Sequence, residues 1–307
     1  MNYIAGNTTV LDKFTAITLG NFDGIHLGHR KLINTVKDYA EKEDILSVVC
    51  SFLPHPKLVF KEQENFALIL TPEEKRERIK KMGVDVYIDF LFTKEFAGLS
   101  AEEFTEKYLY QQLKCKVIVV GEDYRFGSQQ KGTPELLKKI GEKYSVKVIT
   151  IPEVMVDNEK VSSSRIRQLL ENSNLEGANE LLYEPYSIIG TVVEGKKIGR
   201  TIGFPTLNIL ADPIKLFPAN GVYATRTVYN NTTYNSVTNI GYNPTVNGKI
   251  KTIETNVLGF NQFVYGQTIE VHFLKFFRPE MTFRNLDELK AQINHDTQKA
   301  KLYFESI

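Results

Sequence analysis

Two histidines in a glycine-containing stretch are the first residues whose type and spacing could support catalysis. The stretch is Gly20-Asn-Phe-Asp-Gly-Ile-His-Leu-Gly-His29, between an apolar strand-like run and an apolar helical stripe. His26 and His29 share one face of a helical turn, and a helix N-terminus attracts phosphate through its unpaired N–H groups. Three interpretations compete: buried histidines with satisfied hydrogen bonds, zinc ligands, and phosphate contacts. The glycines favour phosphate because they let the backbone approach a ligand, and no cysteine pair or third histidine stands at metal-ligand spacing.

A serine run before a second helical pattern supplies another set of polar donors. It reads Val161-Ser-Ser-Ser-Arg-Ile-Arg167, and a serine at a helix start caps the helix while other N–H groups stay free. Arg165 and Arg167 add cationic donors. Taken alone, the segment is typical of an ordinary capped helix.

Residues 127–133 carry Gly-Thr where a G-x-x-x-x-G-K-[ST] motif needs Gly-Lys, which argues against a P-loop ATPase.

In the second half of the chain, a glycine loop that contains Gly199 and Gly203 precedes two oxygen-bearing side chains. Thr206 and Asn208 alternate along an extended segment, so their side chains face the same side. A hydroxyl and an amide oxygen placed in this way can bind Mg²⁺, while N–H groups of the loop contact phosphate. The alternative is a polar hairpin loop with solvated charges.

The histidine stretch resembles the H-x-G-H signature of the nucleotidylyltransferase superfamily. In its longer form it resembles G-N-F-D-G-[VI]-H-x-G-H of the bacterial bifunctional riboflavin kinase/FMN adenylyltransferase (FAD synthetase) family, and the resemblance covers nearly the whole chain. The serine run resembles the S-S-T-x-I-R motif of that family, with Ser164 at the threonine position. Residues 121–127 resemble its G-x-[DN]-[FY]-x-F-G loop, and residues 52–56 resemble F-E-P-H-P with Leu53 in place of the acidic residue.

For the first half of the chain, this resemblance implies transfer of an adenylyl group from ATP to FMN. A phosphate oxygen of FMN attacks the α-phosphorus of ATP and pyrophosphate leaves, so the protein positions groups and stabilises charge. The resemblance assigns His26 and His29 to the α-phosphate and Arg167 to the β- and γ-phosphates. It also implies nucleotide contacts for Gly20, Asn21, Phe22, Asp23, Gly24, Gly28, Ser162, Ser163 and Ser164, and flavin contacts for His55, Asp123 and Phe126.

For the second half, residues 194–208 resemble the riboflavin kinase motif G-R-x-[LI]-G-[FY]-P-T-x-N. The resemblance implies nucleotide contacts for Gly199, Gly203 and Thr206, and magnesium contacts for Thr206 and Asn208.

The same resemblance supplies a base for phosphorylation of an alcohol. Glu254 matches a family glutamate that would accept the proton of the ribityl 5′-hydroxyl. Arg278 belongs to a segment that resembles R-P-E-x-x-F and would lie beside the flavin. The loop 259–264 lacks the acidic residues that are common in the family.

The elements that must position these residues fall into two groups. Apolar strand-like runs alternate with helical patterns up to about residue 150, which predicts a Rossmann-like α/β domain with a parallel sheet. Such sheets bind ligands at the carboxyl ends of their strands, so loops 20–29, 54–56 and 121–127 should meet. Beyond residue 185, strand-like runs between Gly, Asn and Pro turns predict an antiparallel β-barrel with a C-terminal helix. We expect a nucleotidylyltransferase domain over 1–184 and a riboflavin kinase domain over 185–307.

The composition is that of a globular protein without a strong overall charge. The chain has 307 residues, 42% hydrophobic and 24% charged, and a net charge of +1, so no global field attracts nucleic acid or membrane. Cys50 and Cys115 lie in apolar runs, typical of buried thiols in a reducing compartment. Neither a signal-peptide pattern nor a membrane-spanning run occurs. We expect a cytoplasmic protein, a monomer or weak homo-oligomer, without nucleic-acid or membrane partners.

The main hypothesis is a bifunctional enzyme that uses ATP and Mg²⁺ to convert riboflavin to FMN and FMN to FAD. One alternative retains a single activity with the other domain as a scaffold, and Leu53 and the loop 259–264 are its support. A second alternative is a regulatory flavin- or RNA-binding protein built on a decayed enzyme. A third is an adenylyltransferase for another acceptor, against which the kinase-like second half argues. The presence of His26, His29 and Glu254 favours the main hypothesis over decay.

Overall fold

In a computed structural model, the chain forms two compact units, Met1–Ser163 and Ser164–Ile307. The structure describes residues 1–60, 66–195, 203–245 and 248–307. No helix within these ranges is long and apolar enough to cross a membrane. The functional boundary between residues 184 and 185 stays a prediction.

The first unit is built on a six-stranded parallel sheet. Its strands are β1 (Asn2–Ala5), β2 (Thr15–Leu19), β3 (Leu46–Leu53), β4 (Val86–Leu91), β5 (Cys115–Gly121) and β6 (Lys147–Ile151). The spatial order is β1-β4-β3-β2-β5-β6, and each neighbouring pair is parallel. A short antiparallel hairpin follows, made of β7 (Met155–Val156) and β8 (Glu159–Lys160). The predicted parallel sheet is confirmed, and β1 is an edge strand that the sequence analysis did not predict.

Helices cover both faces of this sheet. They are α1 (Leu27–Glu43), α2 (Pro56–Phe60), α3 (Pro72–Lys81), α4 (Lys94–Ala97), α5 (Ala101–Phe104), a π-helical segment (Thr105–Gln112), a 3-10 turn (Ser128–Gln130) and α6 (Pro134–Tyr144). Buried Leu109 and Leu137 belong to one apolar cluster, whereas Ile33 of α1 and Ile79 of α3 belong to another. All of β2 is buried, as expected for a parallel strand covered on both faces.

Polar side chains cap the N-termini of three of these helices. Thr71 accepts a hydrogen bond from the N–H of Glu74, and the Glu74 side chain bonds back to the N–H of Thr71. Ser100 forms the same reciprocal capping box, and Thr133 caps α6 through its hydroxyl.

The position of β2 determines where the first candidate site lies. β2 pairs with β3 on one side and with β5 on the other. Because all three strands are parallel, the loops that follow them leave the same edge of the sheet side by side. The topology therefore brings the three predicted loops to one edge.

The second unit centres on a closed antiparallel barrel. Its strands are β9 (Ser187–Val193), β10 (Leu207–Ala211), β11 (Gly221–Tyr229), β12 (Thr232–Thr245), β13 (Gly248–Val257) and β14 (Thr268–Arg278). The order is β10-β13-β12-β11-β14-β9, and β9 pairs with β10 to close it. Two helices precede the barrel, α7 (Ser163–Glu171) and α8 (Leu175–Leu181), and α9 (Leu286–Glu305) follows it with Asn285 as N-cap. The predicted barrel and C-terminal helix are confirmed.

Hydroxyl side chains fill part of the barrel interior. Five of them are at most 1% exposed and hydrogen-bond across strands at 2.7–2.9 Å, namely Thr225, Thr227, Ser236, Thr238 and Thr255. Side chains alternate between the two faces of a strand, so Asn239 of β12 and Glu254 of β13 lie on the outer face. The interior is a packed core, and the candidate catalytic glutamate stands outside it.

Candidate active sites

The two histidines stand at the N-terminus of α1. His26 is the N-cap residue, and its Nδ1 accepts a hydrogen bond from the backbone N–H of His29 at 3.3 Å. The two imidazole rings stack with their centroids 3.6 Å apart, and the ring of His29 also packs against that of Phe22. A Cβ at Gly28 would lie 3.2 Å from the ring of His26, so glycine leaves room for this stack. Both imidazoles therefore lie where a helix N-terminus favours a bound phosphate.

Both histidines are neutral at pH 7. Burial is the main cause that lowers the pKa of His26 to about 4, with the charge of Lys160 adding to it and that of Asp123 opposing it. Burial, His26 and Lys75 together hold the pKa of His29 well below its ordinary value. Because Nδ1 of His26 accepts a hydrogen bond, the proton of its neutral ring lies on Nε2, which can donate to a phosphate oxygen. Nδ1 of His29 is buried and has no hydrogen-bond partner within the described residues.

The loop between β2 and α1 is anchored from inside the protein. Phe22 and Ile25 are buried at φ values of 49° and 44°, a left-handed region that such residues rarely occupy. The carboxylate of Asp23 accepts hydrogen bonds from the N–H groups of Ile69 at 3.3 Å and Leu70 at 3.0 Å. The side chains of Phe22 and Asp23, both predicted to bind nucleotide, thus stabilise the loop.

The remaining loop residues differ in their surroundings. The N–H of Gly20 donates to the carbonyl of Cys50 at 3.1 Å, Asn21 is exposed, and Gly24 has a φ of 94°. The hydroxyl of Ser163 donates to the carbonyl of Asp23 at 2.7 Å, so the serine run contacts the histidine loop through this residue.

The other residues of the serine run lie on either side of Ser163. Ser162 precedes α7 within the first unit, whereas Ser164 and Arg167 belong to α7 in the second unit.

Lys160 is a charged residue of this site that the sequence analysis missed. The hairpin β7–β8 turns through Asp157 and Asn158, whose φ values of 54° and 60° are those that a type I′ turn requires. The ammonium of Lys160 pairs with the carboxylates of Asp123 and, at 2.6 Å, of Glu153. Partial burial alone would lower the pKa of Lys160, but the two carboxylates raise it. The Asp-Asn pair between two short extended runs is the signal that predicts this hairpin.

The other two predicted flavin residues of the first unit are buried. Nδ1 of His55 accepts a hydrogen bond from the N–H of Lys57 at 3.2 Å, and its ring lies 4.8 Å from that of Phe66. Phe126 is 6% exposed, and its ring lies 6.0 Å from that of Phe104. Phe126 therefore belongs to the apolar core beneath the 121–127 loop.

In the second unit, the barrel brings three predicted residues together. Asn208 of β10 is directly opposite Glu254 of β13, which in turn is opposite Asn239 of β12. Side chains at such paired positions share one face, with Cβ atoms about 4.5–5.5 Å apart. A Cβ at Gly195 would clash with Nδ2 of Asn208, so the amide can lie across position 195 only because it is glycine. Thr206 immediately precedes β10 and completes the group.

Two cavities of the second unit share Thr206. The larger, of about 270 Å³, lies between the outer face of the barrel and α9. Its apolar lining includes Phe204, Val222, Met281, Phe283, Leu289 and Ile293, and its polar lining includes Thr206, Asn239, Glu254, Arg278 and Asp296. The smaller, of about 110 Å³, is lined by Gly195, Asn208 and residues 260–265 as well as Thr206. An apolar cavity with a few convergent polar groups suits a flat aromatic ligand, and the smaller cavity adjoins it at Thr206.

The guanidinium of Arg278 forms an ion pair with Asp296 of the C-terminal helix. Its Nε and Nη2 donate to the carboxylate of Asp296 at 2.7–3.2 Å, and its Nη1 donates to the carbonyl of Pro279 at 3.0 Å. Gln292 donates to the same carboxylate at 2.9 Å, and Asp296 is only 4% exposed. Arg278 therefore borders the large cavity while fastening α9 to β14, and Asp296 is a second residue that the sequence analysis missed.

The oxygen donors near the small cavity fit magnesium. Mg²⁺ prefers oxygen ligands and usually keeps water and substrate phosphate among them, so the hydroxyl of Thr206 and the amide oxygen of Asn208 suit it. Among the described residues, no group of three or more His, Cys, Asp or Glu is arranged to hold a metal ion. Of the predicted loop glycines, Gly203 has a φ of 89°, and Gly199 lies outside the described residues.

Comparison with known proteins relates both units to flavin enzymes. Residues 9–165 match the family model of FAD synthetase, and residues 182–304 match that of riboflavin kinase. The chain is 37% identical over 306 residues to the bifunctional riboflavin kinase/FMN adenylyltransferase of Buchnera aphidicola, covering 98% of this chain and 97% of that protein. It is 38% identical to the enzyme of the same description from Bacillus subtilis, covering 95% and 93%. A crystal structure described as a macrolide-efflux protein from Streptococcus pneumoniae is similar with a TM-score of 0.91, 33% identity, and coverage of 98% and 99%.

Proposed function

The chain belongs to the bifunctional riboflavin kinase/FMN adenylyltransferase family, and on this premise we propose how each unit carries out its reaction. The second unit phosphorylates riboflavin to FMN, and the first adenylylates FMN to FAD. The observation that carries the proposal is that each unit holds its own group of reactive side chains. His26 and His29 stack at a helix N-terminus, and Thr206, Asn208 and Glu254 meet on one face of the barrel.

In the first unit, the histidines stabilise charge during adenylyl transfer. The phosphate oxygen of FMN forms a bond to the α-phosphorus of ATP, and the bond from that phosphorus to the pyrophosphate oxygen breaks. The Nε2–H of His26 donates to a non-bridging oxygen of the α-phosphate, and His29 does the same from the adjacent ring. Their neutral state supports this role, because each ring can donate without a net charge that would need its own counter-ion.

Two charged residues of the first unit, Lys160 and Asp123, assist the histidines. Lys160 lies close enough to His26 to lower its pKa, and it would attract the phosphate of FMN or ATP. Asp123 holds the Lys160 ammonium in place before substrate binds. Arg167, with Ser162, Ser163 and Ser164, remains our candidate group for the β- and γ-phosphates.

In the second unit, Glu254 acts as general base. It accepts the proton of the ribityl 5′-hydroxyl as that oxygen attacks the γ-phosphorus of ATP, and ADP leaves. The large cavity beside Glu254 would take the isoalloxazine ring against its apolar wall. The small cavity beside Thr206 and Asn208 would take the phosphates of ATP.

Magnesium would be held by Thr206 and Asn208 together with substrate phosphates. When bound, it neutralises phosphate charge and helps to orient the γ-phosphoryl group. The paired position of Asn208 and Glu254 supports this assignment, since it sets the metal ligand beside the base.

The location and partners of the protein are part of the proposal. Both reactions consume ATP, and the net charge is +1, which supports a cytoplasmic enzyme without nucleic-acid or membrane partners. Its partners are the substrates riboflavin, FMN and ATP, and we expect a monomer or weak homo-oligomer.

Chromatographic assays with Mg-ATP and either riboflavin or FMN test the division of labour. Wild-type protein should make FMN and then FAD from riboflavin, and FAD from FMN. His29→Ala should abolish FAD formation and leave FMN formation, whereas Glu254→Ala should do the reverse. Each variant is the folding control for the other, because each should keep the activity that the other loses. Loss of both activities in a folded single variant would contradict the two-site proposal.

A further inference from the structure

Beneath the histidine loop, a buried lysine bonds to the loop backbone. Lys75 lies on α3 and is 7% exposed. Its Nζ donates to Oγ of Ser51 at 2.7 Å and to the carbonyl of Asn21 at 3.2 Å, and the Ser51 hydroxyl donates to the same carbonyl at 3.2 Å. The carbonyl that precedes Phe22 therefore has two donors inside the protein, one of them charged.

A carboxylate balances this charge within the sheet. Oδ1 of Asp89, on β4, lies 3.8 Å from Nζ of Lys75, and the Asp89 side chain is 1% exposed. Asp89 also accepts hydrogen bonds from the hydroxyls of Tyr87 at 2.6 Å and Tyr3 at 3.3 Å. A buried ion pair of this kind is seldom the most stable filling of a core, because both ions lose their hydration. Its presence directly behind a ligand loop points to a role in shaping that loop.

The geometry of a peptide group shows what the lysine controls. In a planar trans peptide, the C=O and N–H point in opposite directions. Holding the carbonyl of Asn21 toward Lys75 points the N–H of Phe22 away from Lys75, and the described residues supply no hydrogen-bond acceptor for this N–H. The left-handed φ of Phe22, 49°, belongs to the same local conformation.

We propose that Lys75 is a positioning residue for adenylyl transfer, which fixes the Asn21–Phe22 peptide so that the Phe22 N–H donates to the α-phosphate of ATP. The inference rests on the proposed function of the first unit. Lys75 itself does not touch substrate. It acts with Ser51 and Asp89, and its charge also contributes to keeping His29 neutral.

The test removes the buried pair as a whole. Lys75→Met alone would leave the Asp89 carboxylate unpaired in the core, so the main variant is Lys75→Met with Asp89→Asn. FAD formation from FMN should fall between about 10-fold and 100-fold, the loss expected when a reacting group is slightly misplaced. Lys80→Met, the same change at an exposed position of α3, should leave it unchanged. Ser51→Ala keeps both charges and should give a smaller fall in the same direction.

The specific readout is the preference between the two diastereomers of ATP with sulfur on the α-phosphorus. An N–H bonded to one non-bridging oxygen makes the two diastereomers react at different rates, and this ratio does not depend on the amount of folded enzyme. In the double variant the ratio should move toward one. If the double variant or Ser51→Ala reacted with the two diastereomers in the same ratio as wild-type protein, the inference would be overturned. The proposed function would still stand in that case, provided that wild-type protein forms FAD. Failure of wild-type protein to form FAD would instead refute the proposed function itself.

Discussion

Replacing Asp296 with asparagine tests whether the C-terminal helix forms one wall of the riboflavin site. Asp296 lies on α9, and its carboxylate binds Arg278 of β14 through three contacts of 2.7–3.2 Å. The two side chains are 5% and 18% exposed, so solvent screens the pair only weakly. Asparagine keeps one acceptor oxygen but places an N–H₂ group against the guanidinium.

The size of the effect follows from these contacts. Loss of a hydrogen bond to a charged group costs about 1.5–3 kcal/mol, and removal of one partner of a buried ion pair costs about 3–5 kcal/mol. Since asparagine retains part of the contact, docking of α9 should weaken by about 2 kcal/mol, or roughly 30-fold in the docking equilibrium. If riboflavin binds only beneath the docked helix, its KM should rise by up to about 30-fold, depending on how much undocked helix is populated.

Initial rates of FMN formation at varied riboflavin concentration measure this KM, and hydrogen exchange of α9 peptides measures the docking. FAD formation from FMN in the same sample serves as an internal control and should not change. Glu305→Gln removes a charge from an exposed position of the same helix and should leave the riboflavin KM unchanged. Faster exchange of α9 in Asp296→Asn with an unchanged riboflavin KM would refute the placement of the flavin beneath the helix.

Two further predictions concern the histidine loop. The pKa of His26 is about 4 in the folded protein, below its ordinary 6.5, so between these values the unfolded chain binds more protons. The free energy of unfolding of the first unit should therefore be fully retained above pH 6.5. Below pH 6.5 it should fall by about 1.4 kcal/mol per pH unit for each histidine that stays neutral in the folded protein. His26→Asn keeps an N-cap and should make the stability depend less on pH. The stability is measured by urea unfolding, with hydrogen exchange of α1 as the probe. An unchanged slope of stability against pH would show that His26 is not its source. Gly28→Ala should displace the His26 ring and thereby reduce FAD formation. It should not lower the stability, because alanine favours the helix over glycine by about 1 kcal/mol. Full activity in a folded variant would contradict the packing argument.

Much of the fold follows from local sequence patterns. The strands from β2 to β6 are short apolar runs, and the helices between them begin at Thr71, Ser100 and Thr133, whose capping requires only neighbouring residues. β1 was not predicted because its four residues are partly exposed and become a strand only by pairing with β4. The register of the barrel also depends on pairing, so the meeting of Asn208 and Glu254 became visible only in the structure.

The predicted site residues divide by what their side chains do in the fold. His26 and His29 lie together at one candidate site, Thr206, Asn208 and Glu254 lie together at the other, and the chemical roles of all five are proposals. Other residues of the same motifs stabilise the protein: the Asp23 carboxylate bonds to backbone N–H groups, Phe126 lies in the core, and Arg278 holds α9. A motif records that a residue type is required at a position, and that requirement can come from shaping the site as well as from touching the substrate.

The residues that the sequence analysis missed have a common physical cause. Lys75 lies in α3, a helix of mostly charged residues that resembles a solvated surface helix, and its partner Asn21 is 54 positions away in the chain. Lys160 and Asp123 are 37 positions apart, and Arg278 and Asp296 are 18 apart. An ionic side chain becomes a positioning group only when a distant partner balances its charge and the fold excludes water from at least one of the two. Apolar periodicity cannot report such pairs, since it records which side chains leave water and not which charges they take with them.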